Sequence, residues 1–247
     1  LHGSSAASDV YKRQIHIPYP DYWEGKNDIE KEELISLDRA DEILSKNKND
    51  IAAVIFEPLI QGAGGMKVCR KEFLEKLLKK FREAGVLIIF DEVMTGFGRT
   101  GKMFAADYLK TKPDIMCLAK SLTGGYIPLA ATVFSKMIHD EFFGDDIKKT
   151  FLHGHSFTAN PIACSAALTS IELFEKEQTL KKVEKISIIH HEYINKLKKI
   201  NISKPRVLGS IAAFEFNGMD QKYGSSENQK LKNIFLENGL LLRPLGN

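Results

Sequence analysis

Val86-Leu87-Ile88-Ile89-Phe90 running into Asp91-Glu92, and Ile115-Met116-Cys117-Leu118-Ala119 running into Lys120-Ser121-Leu122-Thr123-Gly124-Gly125, decide the fold. Unbroken apolar runs of this length are what a parallel sheet covered on both faces requires. A charge that closes such a strand lies at the sheet rim, where open α/β folds bind their ligands. A carboxylate and an amine on two strand ends therefore predict one crevice with both groups facing in. The plainer reading is a structural salt bridge at the rim, and the neighbouring residues weigh against it. Lys120 precedes a Thr-Gly-Gly turn that admits close backbone approach to a ligand. Asp91 precedes Thr95-Gly96-Phe97-Gly98-Arg99-Thr100-Gly101, whose three glycines cost too much chain entropy to serve as punctuation alone.

Outward from these strands the chain alternates. A helix near Leu37–Ser45 leads to a strand at Ala52–Phe56, and Lys71–Ala84 carries Phe73, Leu74, Leu77, Leu78 and Phe81 at helical spacing. Gly85 ends that helix. A short helix near Phe104–Lys110 precedes the Asp114–Leu118 strand, and Leu129–Phe134 reads as a further strand. Asn160-Pro161 is a helix start, with Asn as cap and Pro at the first position. The helix it opens, Pro161–Glu175, has a small-residue face of Ala163, Ala166, Ala167 and Ser170. This βαβ succession predicts an α/β fold with a mostly parallel sheet, right-handed connections and flanking helices over 15–178. From Thr179 the character changes. An amphipathic helix at Thr179–Ile200 links to a small α+β region over 179–247: strand Val207–Phe216, helix Glu227–Asn238 and strand Leu240–Arg243.

Composition bounds the function classes. The 247 residues are 43% hydrophobic and 27% charged, with a formal charge of +3. Those values are ordinary for a globular protein. The Lys-rich stretches Lys76–Lys80 and Lys181–Lys185 read as solvated helix faces, and no basic stripe with aromatics points to nucleic acid. Cys69, Cys117 and Cys164 are scattered, Cys117 and Cys164 reading as buried thiols in a reducing cytoplasm. No apolar run reaches the ~20 residues of a membrane span. His190-His191 lack partners at metal-ligand spacing.

Taken together, Phe90-Asp91-Glu92-Val93-Met94-Thr95-Gly96-Phe97-Gly98-Arg99-Thr100-Gly101, Pro113-Asp114-Ile115 and Leu118-Ala119-Lys120-Ser121-Leu122-Thr123-Gly124-Gly125 resemble the signature of class III aminotransferases. These are fold-type I enzymes that use pyridoxal 5'-phosphate. The spacing from Asp91 to Lys120 matches the family's. Glu57-Pro58-Leu59-Ile60-Gln61-Gly62-Ala63-Gly64-Gly65-Met66 and His153-Gly154-His155-Ser156-Phe157-Thr158-Ala159-Asn160-Pro161 resemble the biotin-pathway branch of the class. The resemblance runs from about Ile17 to the last residue.

The resemblance implies that Lys120 holds the cofactor as an imine and that Asp91 bonds its pyridine nitrogen. That nitrogen must stay protonated for the ring to act as electron sink, and a carboxylate beside it favours the charged form. A charge-assisted bond of this kind contributes roughly 1.5–3 kcal/mol. Once displaced, the Lys120 amine moves a proton; its ordinary pKa near ~10.4 must fall for that task, as burial beside a cationic imine would make it do.

Val93, two residues beyond Asp91 on the same side of an extended chain, matches the ring-stacking position, and a core valine fits equally. Ser156 matches a position that gives a hydroxyl to the cofactor phosphate across a homodimer interface, so the site would be shared. His153 and His155 flank Gly154 in that loop, and Gly154 is expected on the substrate side. Glu57 is either structural or supports the groups that touch ligand. Arg243 matches the arginine that binds the substrate carboxylate, for which a planar fork suits; an ordinary strand-end arginine is the alternative. Arg99 lines the site or pairs with an acid. Ornithine-type members carry a second glutamate soon after the Glu-Pro pair, whereas this chain has Gln61-Gly62-Ala63-Gly64-Gly65. The resemblance therefore implies amino transfer from S-adenosylmethionine to the keto acid 8-amino-7-oxononanoate. Another ω-aminotransferase activity, or an inert scaffold piece, stands as the alternative. Leu1–Gln14 has no helical or strand period and reads as a non-native scar over 1–14. The end at Asn247 falls where the family continues, so the chain is expected to be a fragment without the upstream phosphate loop.

Overall fold

The computed structural model describes residues 14–47, 49–218, 226–241 and 244. Residues 1–13 of the stretch read as a scar, and positions 242–243 of the last expected strand, Arg243 included, lie outside them. The order along the chain is α1 (Ile29–Lys46), β1 (Ala53–Phe56), β2 (Ile60–Gln61), β3 (Lys67–Val68), α2 (Lys71–Glu83), β4 (Leu87–Asp91), β5 (Ile115–Leu118), β6 (Ala131–Phe134), α3 (Lys136–Phe142), α4 (Pro161–Lys176), α5 (Thr179–Leu197), β7 (Ile202–Leu208), β8 (Ile211–Phe216) and α6 (Ser226–Glu237). No described helix is long and apolar enough to cross a membrane.

The central sheet has the order β1-β4-β5-β6. β1, β4 and β5 run parallel, and β6 closes the edge antiparallel. Its two faces differ. Ile88 and Phe90 are sealed, with Val54, Phe56 and Met116 beside them. Phe73, Leu74, Leu77, Leu78 and Phe81 of α2 complete this core, as their spacing dictates. The opposite face carries Leu87 and Ile89, both half-buried, and Ile55, the register partner of Ile89, is 57% exposed. The apolar runs thus predict two covered faces, and the described chain seals only one.

Polar clamps fix the layers. Arg70 grips Glu33 with two charge-assisted bonds of 2.7 and 2.6 Å, joining the start of α2 to α1. Asp114, in the Pro-Asp-Ile motif, accepts from Arg82 Nη1 and from the Ile88 N–H, each at 2.7 Å. One carboxylate therefore ties the end of α2, the start of β5 and the middle of β4. Asn160 caps α4 through Oδ1, accepting from the Ile162 and Ala163 N–H groups.

The expected single strand Val207–Phe216 is instead the hairpin β7–β8. It turns at Gly209-Ser210, and β7 begins at Ile202. A Cβ at Gly209 would stand 2.3 Å from the Thr100 carbonyl carbon, so only glycine fits this turn. The short hairpin β2–β3 and helix α3 are additions to the expected elements. Cys69 is the sealed thiol, pushed up to about 12 by burial, whereas Cys117 and Cys164 are half-buried.

Leu78 is fully buried at the centre of the α2 core. Leu78→Ala should cost about 2–5 kcal/mol through lost burial and a cavity. Urea titration should show a lower midpoint with an unchanged slope; a loss under about 1 kcal/mol would place the core elsewhere.

Candidate active site

β4 and β5 are parallel neighbours with Asp91 opposite Cys117, so Asp91 and Lys120 close adjacent strands at the same carboxyl edge. Side chains alternate across a strand, and this settles what each acid of the Asp91-Glu92 pair faces. Asp91 follows Ile89 onto the half-open face. Cys117 and Thr132 continue that row across β5 and β6. The Cys117 thiol is pushed up by burial and then by the Asp91 carboxylate beside it. Asp91 accepts one bond at 3.0 Å, from the Val93 N–H of its own turn. Among the described residues it has no cationic partner. Val93 consequently sits in a turn, half-buried, and not on the extended chain that the sequence predicts.

Glu92 goes the other way and is wholly buried. Its carboxylate accepts from Thr95 Oγ1 at 2.9 Å and from the Ala105 and Ala106 N–H groups at 2.8 Å each. Burial raises its pKa, and these bonds oppose the rise. Glu92 thereby folds the glycine loop back onto the short 3-10 turn Ala105–Tyr108. The loop needs its glycines. A Cβ at Gly96 would meet the Glu92 carbonyl at 2.9 Å, and one at Gly101 (φ +106°) would meet the Tyr108 hydroxyl at 2.9 Å. Sequence reading passed over Glu92; the signal was a carboxylate on the core-facing side of a strand end.

Lys120 opens a 3-10 turn, Lys120–Thr123, with φ +45°. A non-glycine residue in this left-handed region carries strain of about 1–3 kcal/mol and persists only where its surroundings impose it. Leu122 and Thr123 of the turn are buried, and Ser170 on the small-residue face of α4 donates to the Ser121 carbonyl at 3.3 Å. Lys120 itself is exposed, with no acid or hydrogen-bond acceptor engaging its amine among the described residues. The salt-bridge reading of Asp91 and Lys120 is thus not realised. An open groove of about 1220 Å³ between this turn and α4 is lined by Phe97, Ser121, Gly124, Tyr126, Ser165 and Phe174 among others. It flanks the turn and does not include Asp91 or Lys120.

The remaining candidates divide. Glu57 Oε2 accepts the Gly62 N–H at 2.9 Å, which gives it a structural role in closing the Gln61–Gly65 loop. Arg99 lies exposed in the glycine loop, forms no ion pair among the described residues, and lends its carbonyl to Ser210. Gly154 and Ser156 are not gathered with Asp91 and Lys120 inside a covered site. They belong to a stretch in which every residue from 139 to 159 is exposed. Arg243 is outside the described residues.

The arrangement offers a carboxylate without a cation and a primary amine without an anion on one sheet edge. That pair can hold a protonated ring nitrogen and a carbonyl carbon. Comparison with known proteins identifies the family. The aminotransferase class-III family profile matches residues 3–247. The adenosylmethionine-8-amino-7-oxononanoate aminotransferase of Synechococcus elongatus is 41% identical over 232 residues, covering 94% of this chain and 54% of that protein. The protein of the same name from Staphylococcus aureus is 39% identical over 245 residues, covering 97% and 54%. The crystal structure of the Methanocaldococcus jannaschii protein of that name superposes with a TM-score of 0.78 at 35% identity, covering 86% of this chain and 51% of that one. The chain spans about half the length of the curated relatives it matches.

Glu92 supplies a test of how the site is built. Burial raises the folded-state pKa of Glu92 above the ordinary 4.5, so folding binds a proton there only at pH between the unfolded and folded values. Its pH-linked stabilisation is present below about 4.5 and is lost as pH rises through the folded-state value. Glu92→Gln should remove that slope from thermal melts. It should also lower stability by about 1–3 kcal/mol at neutral pH, since an amide group presents an N–H donor where the backbone donors need an acceptor. An unchanged pH profile and an unchanged melting point would contradict this role.

Proposed function

This chain belongs to the class III aminotransferases, and from that premise we propose that its parent protein transfers the amino group of S-adenosylmethionine to 8-amino-7-oxononanoate with pyridoxal 5'-phosphate. The observation that carries the cofactor reading is the pair Asp91 and Lys120, closing neighbouring parallel strands with no ionic partner among the described residues. When bound, the cofactor supplies an electron sink for charge developing at the donor's α-carbon.

The chain's residues do the rest. Asp91 accepts the ring N–H and keeps that nitrogen protonated from the open face of the sheet. Lys120 Nζ would hold the cofactor and, once released from it, would take the proton from the donor's α-carbon and, in the acceptor half of the cycle, give one to the acceptor's former carbonyl carbon. Val93, in the turn that Asp91 holds, flanks the ring. Ser156 gives its hydroxyl to the phosphate of a second copy's site, and Gly154 lies on the substrate side of that loop. The exposed stretch at 139–159, with Phe143, Ile147, Phe151 and Leu152 uncovered, supports a homodimer in which this stretch is buried. Arg243 receives the substrate carboxylate, and Arg99 lines the site. The donor and acceptor rest on the relatives' names and on the Gln61–Gly65 loop, which has no acid to occupy a carboxylate-binding arginine.

Two experiments on the full-length enzyme test this. Lys120→Ala should lose the visible absorption of bound cofactor, and Asp91→Asn should keep part of it while turnover falls about 10- to 100-fold, as the loss of one charge-assisted bond requires. Near-normal turnover in Asp91→Asn would refute its role. Separately, S-adenosylmethionine should support amino transfer where ornithine and 4-aminobutyrate do not; the opposite preference would replace the substrate assignment while keeping the chemistry.

A further inference from the structure

Arg206 stands apart from every motif above, yet its surroundings are unusually specific. β7 and β8 lose register between Ser203 and Arg206, where Lys204 takes φ +46° ahead of Pro205. A bulge of this kind re-aims the side chain that follows it. Arg206 is only 8% exposed. Its guanidinium donates from Nε to the Met66 carbonyl at 2.7 Å, from Nη2 to the Gly65 carbonyl at 2.5 Å and from Nη1 to the Lys204 carbonyl at 2.7 Å. Glu215 Oε1 stands 3.8 Å from Nη1, and the same carboxylate pairs with Lys204 at 3.0 Å.

Gly65 and Met66 have φ of +93° and +55°. Met66, like Lys204, is a non-glycine residue in the left-handed region, a conformation that lasts only where something holds it. The guanidinium fork holds both through their carbonyls, which a lysine's point charge could not do in the same geometry. The hold passes onward. The Gln61–Gly65 loop is closed by the Gly62 N–H on Glu57, and a Cβ at Gly62 would stand 3.1 Å from Met94 Cε. Met94 belongs to the turn that starts at Asp91. A line of packed contacts therefore runs from the β7–β8 hairpin to the turn beside the candidate cofactor ring.

We propose that Arg206 is a positioning residue that sets the Gln61–Gly65 loop against the Asp91 turn and thereby governs binding of the oxo-acid acceptor. The acceptor half of this inference rests on the function proposed above; the loop-holding half does not. In the full-length enzyme, Arg206→Lys keeps the charge and loses the fork. Its cofactor absorption and its rate with the amino donor should stay within about twofold of wild type, while KM for the oxo acid rises about tenfold, the scale of a modest misplacement. Amide hydrogen exchange at Gly62–Met66 should quicken. A lower melting temperature with unchanged KM and unchanged exchange in the loop would reduce Arg206 to a structural staple and overturn the proposal. Should Arg206→Lys fail to fold, Gly62→Ala pushes the same loop off Met94 with Arg206 intact and should raise the same KM; an unchanged KM there contradicts the proposal. A wild-type enzyme without transamination would sink the functional reading alone, because the exchange rates report the loop-holding directly.

Discussion

The register between β4 and β5 is the constraint on which the rest depends. Asp91 and Lys120 lie 29 positions apart in sequence, and they serve one site only if their strands neither slip nor separate. Asp114 prevents both. Its carboxylate receives the Ile88 N–H of the neighbouring strand and the Arg82 guanidinium of the covering helix, so strand, strand and helix share one anchor. A slip of one residue would send Asp91 to the sealed face, where an unpaired carboxylate would take the place of Phe90 against the α2 core. The fold and the chemistry therefore rest on the same small set of bonds.

Around that register the chain keeps functional groups free by satisfying their neighbours elsewhere. Glu92 consumes three donors to seat the glycine loop, and its adjacent acid is left able to meet a cation. α4 supports the turn under Lys120 through a small-residue face, which allows the left-handed backbone to persist while the amine stays unpaired. Met66, Lys204 and Arg206 repeat the pattern farther out, with one guanidinium stabilising two strained residues.

Much of this was legible in the residues. Long apolar runs locate β4 and β5 to within a residue, and Asn160-Pro161 marks the start of α4. Other features were not, for physical reasons. Two-residue strands such as β2 and β3 have no period to detect. The turn at Gly209-Ser210 hides inside an apolar run and is set by the approach of Thr100, a neighbour distant in sequence. The positive φ of Lys120 and the reach of Arg206 depend on tertiary neighbours, so local propensity carries no trace of them. Ser156 and Gly154 lie where the described chain offers nothing to pack against, and their roles turn on whatever covers that stretch.

The half-open face of the sheet, with a carboxylate and an amine that have no ionic partner among the described residues, supports one physical claim: a flat aromatic cation belongs between Asp91 and Lys120. A crystal structure of the full-length enzyme with pyridoxal 5'-phosphate tests it most directly. The account predicts continuous density from Lys120 Nζ to the cofactor and an Asp91 oxygen about 2.7–2.9 Å from the ring nitrogen, the length of a charge-assisted bond. Cofactor bound to a different lysine, or a ring nitrogen turned away from Asp91, would contradict it.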